Sequence, residues 1–250
     1  MKHLEKFKTF LAFNKSPEPC LKQTSYFSAY DILLSKYIGK KITFVEVGIL
    51  DGGSLFMWQE FFGPQARIIG IDLNPNAKKW ERFGFEIHIA SQSNPESWDT
   101  FFKNVGPIDI LLDDGGHTYI QQIITAEKSL DHINDGGILI VEDMHTSYMD
   151  GFGQKEFSFL NYAKVWIDKI NSRYGRFTKE QQDKRVWSVE FFESIIAFKV
   201  NRIDSIKSEK IRNMAPKGAK DYRHFDTEGL KEKSNLISTL ITDAFKIHPD

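Results

Sequence analysis

Hydrophobic positions come in short runs separated by longer amphipathic stretches, an alternation that predicts βαβ units and a mostly parallel sheet. Residues 41–48 (KITFVEVG), 67–72 (RIIGID), 85–89, 108–112 and 137–141 read as five buried strands. Between them, 54–62 predicts a helix closed by Gly63 and Pro64, and 77–83 a short one ended by Gly84. Residues 95–104 predict a helix with Trp98, Phe101 and Phe102 on its apolar side, and 119–130 another. After Asp150 the pattern changes. Residues 154–172 predict a long helix with Phe157, Leu160, Val165, Trp166 and Ile170 at helical spacing. Two β-rich runs, 186–192 and 194–200, divided by Glu193, predict an antiparallel hairpin at a sheet edge. The expected fold class is therefore α/β: a Rossmann-like, mostly parallel seven-stranded sheet with a C-terminal antiparallel hairpin and helices on both faces.

The flanks carry weaker patterns. Residues 1–40 contain amphipathic stretches such as 26–37 and are expected to form an N-terminal helical cover. Residues 201–250 are polar, with Leu236, Ile237, Leu240, Ile241 and Phe245 at helical spacing, and read as an extension ending in a docked helix. The basic stretch 207–223 reads as a solvated tail.

Composition narrows the function classes. No apolar run in the 250 residues approaches the length of a membrane helix, and residues 1–20 lack the apolar centre of a signal peptide. The lone Cys20 rules out an intrachain disulfide, so a reducing, cytoplasmic setting is expected. A net charge of −1 provides no global field to attract nucleic acid. Twenty-one phenylalanines predict a well-filled core.

The chemistry gathers where strands end. Glu46-Val47-Gly48-Ile49-Leu50-Asp51-Gly52-Gly53-Ser54 joins the first strand to the first helix. Glycines there let the backbone approach a ligand, and the helix N-terminus offers free N–H groups. Leu50, two residues after Gly48, breaks the dinucleotide fingerprint and speaks against a nicotinamide cofactor. Asp72 ends the second strand, where a carboxylate can accept from both ribose hydroxyls or cap the turn at Asn74 and Pro75. Ser91, Gln92 and Ser93 follow the third strand. Asp113-Asp114-Gly115-Gly116-His117 follows the fourth and Glu142-Asp143 the fifth. Neighbouring parallel strands end about 5 Å apart, so these acids converge. Clustered carboxylates repel, and a cation is the usual remedy; an all-oxygen set favours Mg²⁺ or Mn²⁺ over zinc.

The segments LDDGGH, GGILIVEDMHTSYMDGFG and VWSVEFFESIIAFKV give 44–200 a resemblance to the macrolide-sugar O-methyltransferases of the mycinamicin type. The resemblance implies a class I fold over 41–200, S-adenosylmethionine as methyl donor and a metal-assisted transfer to a hydroxyl. It implies cofactor contacts from Glu46, Gly48, Gly52, Ser54, Asp72, Gln92, Ser93 and Asp113. It further implies Mg²⁺ at Asp114, Glu142 and Asp143, with His117 as general base and His145 and Tyr148 beside the acceptor. Gly116 stands where the family usually has Ser, and His145 is a second candidate base. The implied acceptor is a saccharide or other small molecule, with catechol-like acceptors or a non-catalytic binding module as alternatives. No nucleic-acid or membrane partner is expected, and a homo-oligomer is compatible with the reading.

Overall fold

The computed structural model describes residues 2–174, 183–214 and 218. The helix expected near Leu236–Phe245 lies outside them, as does about half of the basic stretch 207–223. Residues 1–209 form one compact unit. Its centre is a seven-stranded sheet of β1 (Thr43–Val47), β2 (Arg67–Asp72), β3 (Glu86–Ile89), β4 (Ile108–Asp113), β5 (Ile133–Val141), β6 (Ser188–Phe192) and β7 (Ile195–Lys199). The spatial order is β3-β2-β1-β4-β5-β7-β6. Strands β1 to β5 pair in parallel, whereas β7 runs antiparallel to both β5 and β6. Chain order reverses between β1 and β4. That switch point leaves a crevice at the carboxyl ends of the strands, where open α/β sheets bind ligands.

Alternation along each strand divides the interior into two cores. Phe44, Ile110, Leu112, Ile138, Ile140 and Ala197 face one core, with α1 (Lys8–Lys15), α2 (Tyr26–Leu34) and α3 (Gly53–Phe62). Val45, Val47, Leu111, Leu139, Val141 and Phe198 face the other, with α4 (Pro95–Val105), α5 (Tyr119–Ser129) and α6 (Phe159–Asn171). The residues before β1 are thus part of a structural layer: Tyr26, Phe27, Tyr30, Leu33 and Leu34 are all buried.

Helix ends follow their local chemistry. Asn94 caps α4 by accepting from the backbone N–H groups of Glu96 and Ser97, and Pro95 occupies the first turn. The long helix expected over 154–172 is instead a short 3₁₀ turn, Lys155–Phe157, followed by α6. Ser158 separates them by accepting from Asn161 N–H, which resets the helical phase. The buried stripe is therefore Phe159, Ala163 and Trp166, while Phe157 and Val165 are exposed. The 77–83 helix is a 3₁₀ segment, Pro75–Phe83.

The chain between α1 and α2 lies against α3. A Cβ at Gly53 would overlap the carbonyl oxygens of Glu18 and Pro19. Ser16 Oγ donates to the carbonyls of Glu18 and Gly53 in the same contact. Gly53→Ala should therefore lower stability by about 1–3 kcal/mol, as overpacking does. Urea denaturation checks this; an unchanged midpoint would show that the segment is not seated on α3.

Candidate active site

A cavity of about 760 Å³ opens at the carboxyl edge of the sheet. Gly48, Ile49 and Leu50 line it after β1, Asp72 to Asn74 after β2, and Ala90 to Ser93 after β3. Asp114 to His117 follow β4, Glu142 and Asp143 follow β5, and Pro19 to Gln23 with Tyr26 close the remaining wall. Its floor requires glycine. Gly48 has φ +81°, and a Cβ there would run into the Asp114 carbonyl oxygen. Asp72 Oδ2 accepts from the N–H groups of Ile49 at 3.0 Å and Leu50 at 3.3 Å, and Oδ1 accepts from Asn74 N–H at 2.8 Å. The Asp72 carboxylate therefore holds the glycine turn and caps its own turn, with lone pairs left toward the cavity.

Several expected cofactor residues serve the walls instead. Glu46, Gly52 and Asp113 do not line the cavity. Glu46 is fully buried, accepting from Ser54 Oγ at 2.6 Å and Trp58 Nε1 at 3.1 Å. Burial pushes its carboxyl above the usual range, though Lys22 and these donors oppose the shift. Gly52 takes φ +78° against the Trp80 ring. Burial likewise raises Asp113 to about 6. Gln92 fastens the β3 and β4 loops: its amide nitrogen donates to Asp113 and Thr125, and its oxygen accepts from Gly116 N–H. Gly48, Ser54, Asp72, Gln92 and Ser93 do line the cavity.

The acids at the tips of β4 and β5 meet as the strand pairing requires, since Asp113 lies opposite Val141. One donor atom each from Asp114, His117 and Asp143 lie within 4.8 Å of one another. His117 Nε2 is 3.1 Å from Asp143 Oδ2 and 4.0 Å from Asp114 Oδ1. An ion with oxygen ligands at about 2.1 Å spans such a set with small side-chain adjustment, so these residues fit a hard divalent cation. His117 does not cap the next helix, because Gln121 Oε1 takes the N–H and hydroxyl of Thr118. A Cβ at Gly116 would meet the amide end of the Gln121 side chain. His117 and Asp143 both hold left-handed backbone, φ +58° and +59°. Such strain costs about 1–3 kcal/mol per residue and gathers at functional sites.

Glu142 lies on the other side of the cluster. Its carboxylate accepts from the Tyr30 hydroxyl and faces Lys22 Nζ at 3.1 Å. Burial, then the charge of Asp114, drives the Glu142 carboxyl well above its usual range. Lys22, only 1% exposed, also reaches Asp114 at 2.5 Å and Glu46 at 3.6 Å. Burial alone would lower its ammonium pKa; the surrounding acids outweigh that and hold it charged. Tyr26 donates to Asp143 Oδ1. Lys22, Tyr26 and Tyr30 escape sequence reasoning because their partners Asp114, Glu142 and Asp143 lie 92 to 120 residues away in the chain. Burial raises the Cys20 thiol to about 12, so it is no nucleophile.

His145 and Tyr148 line a second cavity, of about 580 Å³, with Phe191, Glu193 and Ser194. Gln23 borders both cavities. His145 Nδ1 is 2.5 Å from Ser194 Oγ and 3.9 Å from Asp143.

Comparison with known proteins supports this architecture. Residues 45–144 match the family described as a methyltransferase domain. In the MycE methyltransferase of the mycinamycin biosynthetic pathway, solved with Mg and SAH, 57% of that chain superposes on 85% of this one. The TM-score is 0.70 at 22% sequence identity. The fold is the Rossmann-like methyltransferase fold. Among curated relatives, an 8-demethyl-8-alpha-L-rhamnosyl tetracenomycin-C 2'-O-methyltransferase of Streptomyces olivaceus is 28% identical over 199 residues. The mycinamicin VI 2''-O-methyltransferase of Micromonospora griseorubida is 30% identical over 131 residues. These alignments cover 72% and 50% of this chain but 51% and 32% of the relatives, so the chain spans about half their length or less. No helix among the described residues is long and apolar enough to cross a membrane.

The buried half of the site makes a stability prediction. Tyr30→Phe removes the hydroxyl that Glu142 accepts from, leaving a buried acceptor short of a donor. The loss should be about 1–3 kcal/mol in chemical denaturation, whereas a shift near zero would mean that the hydrogen bond is not made.

Proposed function

We propose that the chain is an S-adenosylmethionine-dependent O-methyltransferase that transfers a methyl group, with Mg²⁺ or Mn²⁺ assistance, to a hydroxyl of a sugar on a natural product or glycan. The observation that carries the reading is the meeting of Asp114, His117 and Asp143 at one end of a glycine-floored cavity. Similarity to sugar O-methyltransferases supports the acceptor class. A cytoplasmic enzyme acting on small molecules, as a monomer or homo-oligomer, belongs to the same reading.

When bound, the donor supplies a methyl already activated on sulfonium, and the divalent ion lowers the pKa of the accepting hydroxyl. Gly48, Ser54, Asp72, Gln92 and Ser93 form the walls proposed to hold the donor. Asp114, Glu142 and Asp143 are proposed to hold the ion, since hard cations take carboxylate oxygens in preference to imidazole. That preference leaves His117 as the base. Its Nε2 lies 3.1 Å from Asp143 Oδ2; once that carboxylate is engaged by the ion, the Nε2 lone pair is the one placed to accept the hydroxyl proton. His145 is the alternative base only for an acceptor seated in the second cavity, on the Ser194 side.

Two assays test the reading. Labelled donor should transfer methyl to members of a glycoside panel, with loss of transfer in chelator and recovery with Mg²⁺; no transfer to glycosides and turnover of catechols would change the acceptor class. His117→Ala should lower kcat by about 10²–10⁴-fold with S-adenosylhomocysteine affinity little changed, as for loss of a general base. Full activity of that variant would remove His117 from the mechanism.

A further inference from the structure

The two edges of the sheet are protected differently. At one edge, β3 carries Glu86 and His88, paired with each other at 2.7 Å, and charge of this kind keeps an edge from templating another strand. The other edge is β6, which pairs with β7 on its inner side. Among the described residues, no backbone hydrogen bond reaches β6 from its outer side. Trp187 N–H donates to the Lys199 carbonyl at 2.8 Å, so the ladder starts one residue before the strand. Alternation then places Trp187, Val189 and Phe191 on one face and Ser188, Glu190 and Phe192 on the other. The packing agrees: Val189 leans on the core on the α6 side and Phe192 on the opposite core. Trp187 and Phe191 remain 45% and 46% exposed. The one charge within β6, Glu190, is taken up by Lys199 of its own chain, so it does not defend the edge.

The order of residues along this strand fits a second copy of itself. A two-fold axis normal to the sheet at Val189 brings two β6 strands together antiparallel, and residues equally far from Val189 in opposite directions face each other. Trp187 then meets Phe191 of the second copy, twice by symmetry, as a cross-strand aromatic pair. Ser188 meets Glu190, so the two glutamates do not oppose one another. An axis at Glu190 would put that residue opposite itself and Trp187 opposite Glu193; an axis at Ser188 would put Phe191 opposite Arg185. Neither keeps the aromatic pair.

We propose that the chain forms a two-fold dimer by antiparallel pairing of β6 with β6 of a second copy, centred on Val189. The two sheets join into one, and the second copy's Trp187 stands beside Phe191, which lines the second cavity. Each second cavity is thereby bordered by the other copy. The inference goes beyond the methyl-transfer reading and does not depend on it.

Sedimentation velocity of the full chain over a dilution series tests it, with circular dichroism to verify the folding of each variant. The parent should sediment as a dimer that dissociates on dilution. Trp187→Ser, at an exposed position, removes both aromatic pairs and should weaken dimerisation about tenfold or more. Position 188 reads the register. Ser188→Glu sets like charges opposite each other twice and should weaken the dimer about 3- to 10-fold, whereas Ser188→Lys sets opposite charges there and should tighten it by a similar factor. Loss of packing alone would move both variants in the same direction. A parent that is monomeric at every concentration would overturn the proposal. So would dimerisation that none of the three variants changes, which would assign association to another surface, or equal weakening by the two Ser188 variants. If a Ser188 variant does not fold, Trp187→Ser decides, and a dimer unchanged by that substitution overturns the proposal.

Discussion

The architecture depends on how negative charge is held at the ends of β1, β4 and β5. Glu46, Asp114, Glu142 and Asp143 converge there because parallel strands deliver their terminal residues to one edge. Removing several carboxylates from water is unfavourable unless they are paired and hydrogen-bonded. The chain meets that requirement with Lys22, Tyr26 and Tyr30, all from the N-terminal layer, and with Ser54 and Trp58 from α3. This explains why residues before the first strand are packed as core rather than draped over it. Their aromatic side chains fill one face of the sheet while their polar tips serve the acids.

Within this frame the proposed chemistry has a division of labour. The walls made by the β1, β2 and β3 loops are rigid, since Asp72 and Gln92 spend much of their hydrogen-bonding capacity on backbone and neighbouring side chains. The outer acids are less enclosed: Asp114 and Asp143 keep about a fifth of their side-chain surface, 23% and 22%, whereas Glu142 keeps 1%. The left-handed backbone at His117 and Asp143 aims both side chains into the same space, and Ser194 and Leu50, also at positive φ, line the cavities on either side.

Much of the fold was legible in the sequence because it follows from local periodicity. Five buried runs, a terminal hairpin and glycine stops point to a mostly parallel seven-stranded sheet with an antiparallel edge, and that is the sheet observed; the spatial order β3-β2-β1-β4-β5-β7-β6 comes from the structure. The exception is α6, where Trp166 is buried and Leu160 and Ile170 pack on the core as expected, but Phe159 and Ala163 face inward while Phe157 and Val165 are exposed. The acids at the strand ends were legible as a group for the same reason. What local pattern does not carry is partner choice across the chain. Nothing near Lys22 marks it as buried, and nothing near Glu46 or Asp113 says that their carboxylates brace the wall of the cavity rather than line it. Nor does spacing distinguish Glu142, held inside, from its neighbour Asp143, turned outward; adjacent residues leave a strand end in different directions once the second adopts φ +59°.

The most direct test of the account is anomalous diffraction from a crystal grown with Mn²⁺ and S-adenosylhomocysteine. The expected result is one manganese peak bonded to Asp114, Glu142 and Asp143 beside His117. Carboxylates of Asp114 and Asp143 apart with no ion between them would contradict it.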